Sequence, residues 1–165
     1  MPNDTTTIQI IQADLTNPAH CADLISTLDA YAQDPMGGGV PLSEEVKARL
    51  IPGLQAHPAM YVFLAYQGDP DNAGTPVGIA NCFMGFSSFA AKPLINIHDL
   101  AVNPAARRMG IGRMLLDAVQ AKAKSLDCCA VTLEVRDDNP AAIKLYADYG
   151  FHDHGNPHRF WKLKL

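Results

Sequence analysis

The chain has 165 residues, 48% of them hydrophobic and 18% charged, with a formal net charge of −4. That length suits one domain, residues 1–165, able to bury roughly 70% of its unfolded surface, and the composition excludes a disordered, collagen-like or coiled-coil chain. The charge is uneven: two basic against nine acidic residues precede Lys92, whereas eleven basic and eight acidic residues follow from it. This pattern suits ligand parts of opposite sign and is unlike an overall basic, nucleic-acid-binding protein.

Thr5 to Gln12 (TTTIQIIQ) is β-branched and aliphatic and reads as an opening strand. A helix follows from Asn17 or Pro18, with Cys21, Leu24, Ile25 and Leu28 at helical spacing. Asp34 to Pro41 (DPMGGGVP) must be loop, and Ser43 with Glu44 and Glu45 opens a second helix reaching Pro52 or a little beyond. Met60–Tyr66 and Val77–Phe86 form a hairpin around a long turn, and Leu94–Val102 (LINIHDLAV) is the next strand, stopped by Asn103 and Pro104. Gly110 to Leu126 is the clearest helix, with Ile111, Leu115, Ala118, Val119 and Leu126 on one stripe. Cys128–Val135 reads as a buried strand, Ala141–Tyr149 as a helix, and Phe151–Leu165 as two short strands around Gly155-Asn156-Pro157. Hairpins mixed with β-α-β crossovers predict an α/β sheet with antiparallel and parallel parts.

The longest charge-free stretch, Asn72 to Ala91, is broken by glycines, Pro76 and serines and does not match a bilayer helix; the N-terminus lacks a basic start and a continuous apolar core. Cys21, Cys82, Cys128 and Cys129 form no C-x-x-C, so they read as reduced, mostly buried thiols of a cytoplasmic protein. His152, His154 and His158 form H-x-H-x₃-H, but no carboxylate or cysteine completes a ligand set, and no metal is expected. No G-x-S-x-G occurs, so a serine hydrolase is not supported.

Chemistry concentrates in Leu100-Ala-Val-Asn-Pro-Ala-Ala-Arg107-Arg108-Met109-Gly110-Ile111-Gly112-Arg113, where a strand passes through an arginine- and glycine-bearing loop into an amphipathic helix. Glycines let successive amides converge at a helix N-terminus, where the dipole favours an anion, and Arg107, Arg108 and Arg113 add cations. The physics asks for a phosphate or pyrophosphate. A nicotinamide fingerprint would need glycine at position 115, which is Leu115, and G-x-x-x-x-G-K-[ST] is absent.

Arg107, Gly110 and Gly112 match the [Q/R]-x-x-G-x-[G/A] coenzyme A signature of the GCN5-related N-acetyltransferase (GNAT) superfamily, which this sequence resembles. Val102 and Pro104 ahead of the loop, and Asn139-Pro-Ala-Ala-Ile-Lys-Leu-Tyr146 with Tyr149-Gly150-Phe151 after it, extend the likeness over Leu94 to Phe151. The resemblance implies a GNAT-like single domain, a mixed sheet of about six or seven strands with a splayed parallel pair, and about four flanking helices. It implies acetyl-CoA as cosubstrate, a primary amine as acceptor, direct attack on the thioester and a frequent homodimer, while the acidic net charge and the broken charge-free stretch point to no nucleic-acid or membrane partner. By the same resemblance, Leu100 and Val102 pair with the pantetheine arm, and Leu100 polarises the thioester carbonyl. Arg107, Arg108, Met109, Gly110, Ile111, Gly112 and Arg113 hold the diphosphate, and Asn139 contacts the pantetheine arm.

Tyr146 sits where a phenol commonly protonates the departing thiolate. His98 matches a position where some members carry a glutamate base, and strict alternation would place it on the face of Leu100, with Asp99, the runner-up base, on the other. Blander roles stand beside these: Tyr146 as a core aromatic, Asn139 as a helix cap, His98 as a satisfied histidine. The acidic first half favours a small cationic acceptor. A peptide or protein N-terminus, and a non-catalytic acyl-CoA sensor, are the alternatives. The glycine loop after Met36 borders the acceptor site in the family, where mobility would suit substrate entry.

Overall fold

The computed structural model describes residues 7–153 and 161–164. They fall into two compact units, Met1–Glu134 and Val135–Leu165.

The first unit is built on one sheet in the order β1 (Ile8–Gln12), β2 (Met60–Gln67), β3 (Thr75–Ser87), β4 (Lys92–Val102), β5 (Val131–Leu133). Each of the first four strands is antiparallel to its neighbour, and β5 lies parallel to β4. β2 is apolar without alternation because both sheet faces are covered: Val62, Phe63, Leu64, Ala65 and Tyr66 are all buried.

Register separates the faces, since directly paired residues share one. Val62 pairs with Asn81, Leu64 with Ile79, and these in turn with Asp99 and Ala101. On that face α1 (Pro18–Gln33) inserts Leu24 among Val62, Leu64, Tyr66 and Ile79, joined by Leu50, Ile51 and Leu54 of α2 (Glu44–Gln55). Tyr66 is fully buried, and its hydroxyl donates to Asp23 Oδ2 of α1 at 2.6 Å. The opposite face holds Gly78 and Ala80 and receives α3 (Ile111–Ser125), which buries Ile111, Leu115, Leu116, Val119 and Ala123. Packing there is close: a Cβ on Gly78 would meet Ala101 O at 3.1 Å and Ile111 Cγ2 and Leu115 Cδ1 at 3.3 Å.

Local chemistry sets the helix starts. Asn17 Oδ1 accepts from the Ala19 amide at 2.9 Å, and Ser43 Oγ from the Val46 amide at 3.2 Å. α2 runs through Pro52 to Gln55, its last turn closed by the Ala56 amide on Pro52 O at 3.1 Å.

In the second unit, α4 (Pro140–Tyr149) is capped by Asn139, whose Oδ1 accepts from the Ala142 amide at 3.1 Å. Gly150, at φ +115°, ends it; the Phe151 amide returns to Tyr146 O at 2.9 Å, and the Phe151 ring meets Tyr146 edge-on at 5.9 Å. The Tyr-x₃-Gly-Phe spacing is therefore a helix stop with its hydrophobic clasp.

Three sequence expectations change. Among the described residues the sheet has five strands rather than six or seven; residues 151–153 and 161–164 form no strand, and the rest of the final pair expected there, with His154 and His158, lies outside the described residues. The strand expected from Cys128 starts only at Val131: Asp127 takes φ +53° and the Cys128 amide returns to Ala123 O, so these residues finish α3 instead. Of the four thiols only Cys82 is buried, and Cys129 is exposed. The four α-helices among the described residues are those expected.

Candidate active site

The loop between β4 and α3 is built to leave amides open. After a short 3-10 turn, Pro104–Ala106, the chain passes through Arg108 (φ +68°) and Gly110 (φ +79°) into α3. A non-glycine residue at positive φ is uncommon and costs local strain. The first turn-closing bond of α3 is Met114 N–H to Gly110 O at 3.1 Å, and no side chain caps the helix. Among the described residues, the amides of Arg108, Met109, Gly110, Ile111 and Gly112 donate to no carbonyl. A Cβ on Gly110 would meet nothing within 4 Å, so the loop faces open space. Five unpartnered donors at the positive end of a fifteen-residue helix, beside exposed Arg108, fit a diphosphate by donor chemistry.

The neighbouring strand carries a second set of open groups. β5 pairs with β4 only from Ile95–Val131 to Ile97–Leu133, so among the described residues β4 runs on without a neighbour on that side from His98 to Val102. Bonds from the Ile95 amide to Ala130 O and from the Cys129 amide to Pro93 O show that odd-numbered residues face β5 at the start of β4. The register with β3 slips at Asn81/Cys82, where His98 is the extra residue of a β-bulge. Beyond the bulge the parity reverses, and Asp99 and Ala101 bond β3 while the main-chain groups of Leu100 and Val102 turn to the open side. Val102 O is taken by Arg107 Nε at 3.1 Å, which leaves the Val102 amide and both groups of Leu100.

The same bulge corrects the face assignment. His98 does not share the face of Leu100: its ring stands edge-on to Phe83 at 5.7 Å, and Phe83 is edge-on to His57 at 5.2 Å. Asp99 joins His98 on this α1–α2 face, where its Oδ2 accepts from Asn81 Nδ2 at 3.1 Å. Leu100, paired with Ala80, lies on the α3 face. Asn81 is 4% exposed, and its Oδ1 has no partner among the described residues. An open, mainly apolar groove of about 550 Å³ reaches Phe83 and His57 along α2, lined also by Val46, Leu50 and Leu54. Glu45 and Arg49 on its rim bind each other at 3.3 Å.

His57, Asn81 and Phe83 were not singled out from sequence. The signal for Asn81 was available: a lone amide inside the apolar run Val77–Phe86. His57 and Phe83 carry no local signal, since they meet across elements. The half-exposed Arg107 side chain places Nη2 on Asp34 Oδ2 at 2.6 Å, and its amide donates to Pro104 O at 3.3 Å. The loop after Asp34 is tightly wound, with the Gly37, Gly38 and Gly39 amides all donating to Asp34 O. Tyr146 is buried and Asn139 caps α4 within the second unit. Among the described residues, no group of three His, Cys, Asp or Glu is placed to hold a metal, and no helix is long and apolar enough to cross a membrane.

Residues 27–151 match the Acetyltransferase (GNAT) family. The chain belongs to that family, whose members take acetyl-CoA as acyl donor. It is 36% identical to the N-alpha-acetyltransferase RimI of Mycobacterium tuberculosis over 94 residues, 56% of this chain and 55% of that protein. It is 34% identical to the mycothiol acetyltransferase of Clavibacter michiganensis over 113 residues, 68% of this chain and 31% of that one. The chain thus spans about half, or less, of these relatives. Among solved structures, a probable acetyltransferase superposes with a TM-score of 0.78 at 22% identity, covering 95% of this chain and 97% of the other. The aminoglycoside acetyltransferase AAC(6')-Iy, bound to a CoA bisubstrate analogue, superposes with a TM-score of 0.74 at 16% identity, covering 96% and 100%.

Proposed function

We propose that the chain is an acetyl-CoA-dependent N-acetyltransferase in which a primary amine attacks the thioester directly, with no acyl-enzyme. The row of unpartnered amides from Arg108 to Gly112, beside the open end of β4, carries this reading. Those amides, with Arg108 and Arg113, hold the diphosphate. The Leu100 groups and the Val102 amide hold the pantetheine arm as an added strand would, and the Leu100 amide supports the carbonyl oxygen as charge develops. Acetyl-CoA supplies an acyl group already activated as a thioester. Two residues of the second unit are assigned by sequence likeness: Asn139 to the pantetheine arm, and Tyr146 Oη to protonation of the departing sulfur.

The acceptor enters on the α1–α2 face, where His98 takes the proton of the amine and the Asp99 carboxylate attracts its cationic form. That charge arrangement favours a small cationic amine. The apolar groove along α2 supports a second reading, an α-amino terminus followed by an apolar side chain, because Glu45 and Arg49 on its rim neutralise each other.

Thiol release from acetyl-CoA, measured across polyamines, aminoglycosides, amino acids and short peptides, tests the proposal. Release with the small cations supports it, and release confined to peptides selects the second reading. CoA binding without release from any amine would make the protein a sensor. Tyr146→Phe should lower kcat by about 100-fold with CoA affinity unchanged; lost affinity would move Tyr146 from chemistry to binding. His98→Ala should remove the acid limb of the pH–rate profile, whereas an unaltered limb assigns the proton to water or Asp99.

A further inference from the structure

Asp34 closes α1 and lies outside the coenzyme A signature, yet it is the most heavily bonded residue near the loop. Its amide donates to Tyr31 O at 3.0 Å, and its carbonyl accepts from the Gly37, Gly38 and Gly39 amides at 2.8, 3.1 and 3.1 Å. Its Oδ1 accepts from the Met36 amide at 2.9 Å. The other carboxylate oxygen takes Arg107 Nη2 at 2.6 Å, with the Asp34 side chain only 12% exposed. Val40 completes the wrap, its amide on Ala32 O at 3.2 Å. The segment 34–40 is thereby wound on one residue, and that residue holds the guanidinium beside the open amides.

Arg107 is the other half of the link. Its planar fork spans Asp34 and Val102 O, and its neighbour Ala106 is buried. A guanidinium held at two points by charge-assisted bonds has little rotational freedom. It therefore ties the end of α1, the end of β4 and the start of the anion cradle into one bonded chain. Exposed ion pairs contribute little stability by themselves; what this one supplies is position.

We infer that Asp34 is a positioning residue that couples the 34–40 segment, on the acceptor-facing side of the sheet, to occupancy of the cofactor cradle through Arg107. The inference rests on the proposed reading that the Arg108–Gly112 amides hold a diphosphate. When the cradle fills, the loop that follows Arg107 is ordered, and the standing Arg107–Asp34 bond passes that order to the amides wound on Asp34. Coupling of this kind is reciprocal, so an acceptor that orders segment 34–40 also tightens the cofactor.

Amide hydrogen exchange of the full chain, with and without CoA, tests this. Pro35 and Pro41 carry no amide, so a peptide across them reports residues 36–40. In the unaltered protein, CoA should slow exchange both at 108–112 and at 36–40, the latter by about five-fold or more. In Asp34→Asn, slowing at 108–112 should persist while the response at 36–40 disappears, and Asp34→Glu should restore it. If Asp34→Asn does not fold, Arg107→Lys, which keeps the charge and loses the fork, should show the same loss. A 36–40 segment that ignores CoA in the unaltered protein, or still responds in Asp34→Asn, overturns the coupling. Absence of any protection at 108–112 overturns instead the diphosphate reading beneath it.

Discussion

Tyr66 and Cys82 show how burial changes what a side chain does. Burial and the adjacent Asp23 carboxylate both push the Tyr66 phenol up, so it remains a neutral donor joining β2 to α1. Tyr66→Phe removes a bond to a charged acceptor and should cost about 2 kcal/mol, read from chemical denaturation. Burial, aided by Asp99, pushes the Cys82 thiol up to about 12. Cys129 stands exposed. A thiol reagent should therefore modify Cys129 in the native protein and reach Cys82 only on unfolding; early labelling of Cys82 would contradict the core placement. The hydrophobicity of Cys128-Cys129 predicts burial, but local sequence does not reveal that α3 ends through these residues.

At the scale of elements, the contact of α3 with the sheet decides where the cradle stands. Gly78 lets Ile111 and Leu115 approach β3, and Ile111 lies inside the row of open amides. Gly78→Val should destabilise the fold by about 1–3 kcal/mol and weaken CoA binding with it. Gly110→Asp separates the two effects. Its φ of +79° is unfavourable for an aspartate by roughly 1–2 kcal/mol, but a negative side chain among the amides should abolish CoA binding while most of the fold persists. Calorimetry with CoA distinguishes them, and unchanged affinity in Gly110→Asp would contradict the role of the loop. The bulge at His98 acts at this scale too, moving one residue's worth of parity between the two faces of β4.

For the whole molecule, the depressed carboxylates set the response to acid. Asp34 is held below the usual carboxylate range by the Met36 amide and then Arg107, and Asp29 by the Leu42 amide and then Lys47. Asp14 and Asp138 are lowered by Thr16 and Arg136 respectively. Each native pKa lies below its unfolded value, so the stabilisation is present above about pH 4 and is lost as pH falls through the native values. Unfolding midpoints should be flat from neutral pH down to about 5 and fall below about 4. Asp34→Asn should make that fall shallower, because one proton-linked group is removed.

The helices, the hairpin and the glycine loop were legible in the chain, because periodicity, caps and turn residues act within a few positions of one another. Asn17 and Ser43 cap the helices whose starts their sequence context predicts, and Asn139 caps the helix it suits. The amides of Arg108 to Gly112 could be placed at a helix start from glycine spacing. What lay beyond reach was long-range: the slip of β4 against β3 that puts His98 and Asp99 on one face, the ring contacts of Phe83, and the bond from Asp34 to Arg107. Those depend on strand register and on residues 73 positions apart meeting in space. Register is a choice among pairings that differ by one residue, and only the simultaneous packing of both sheet faces selects one.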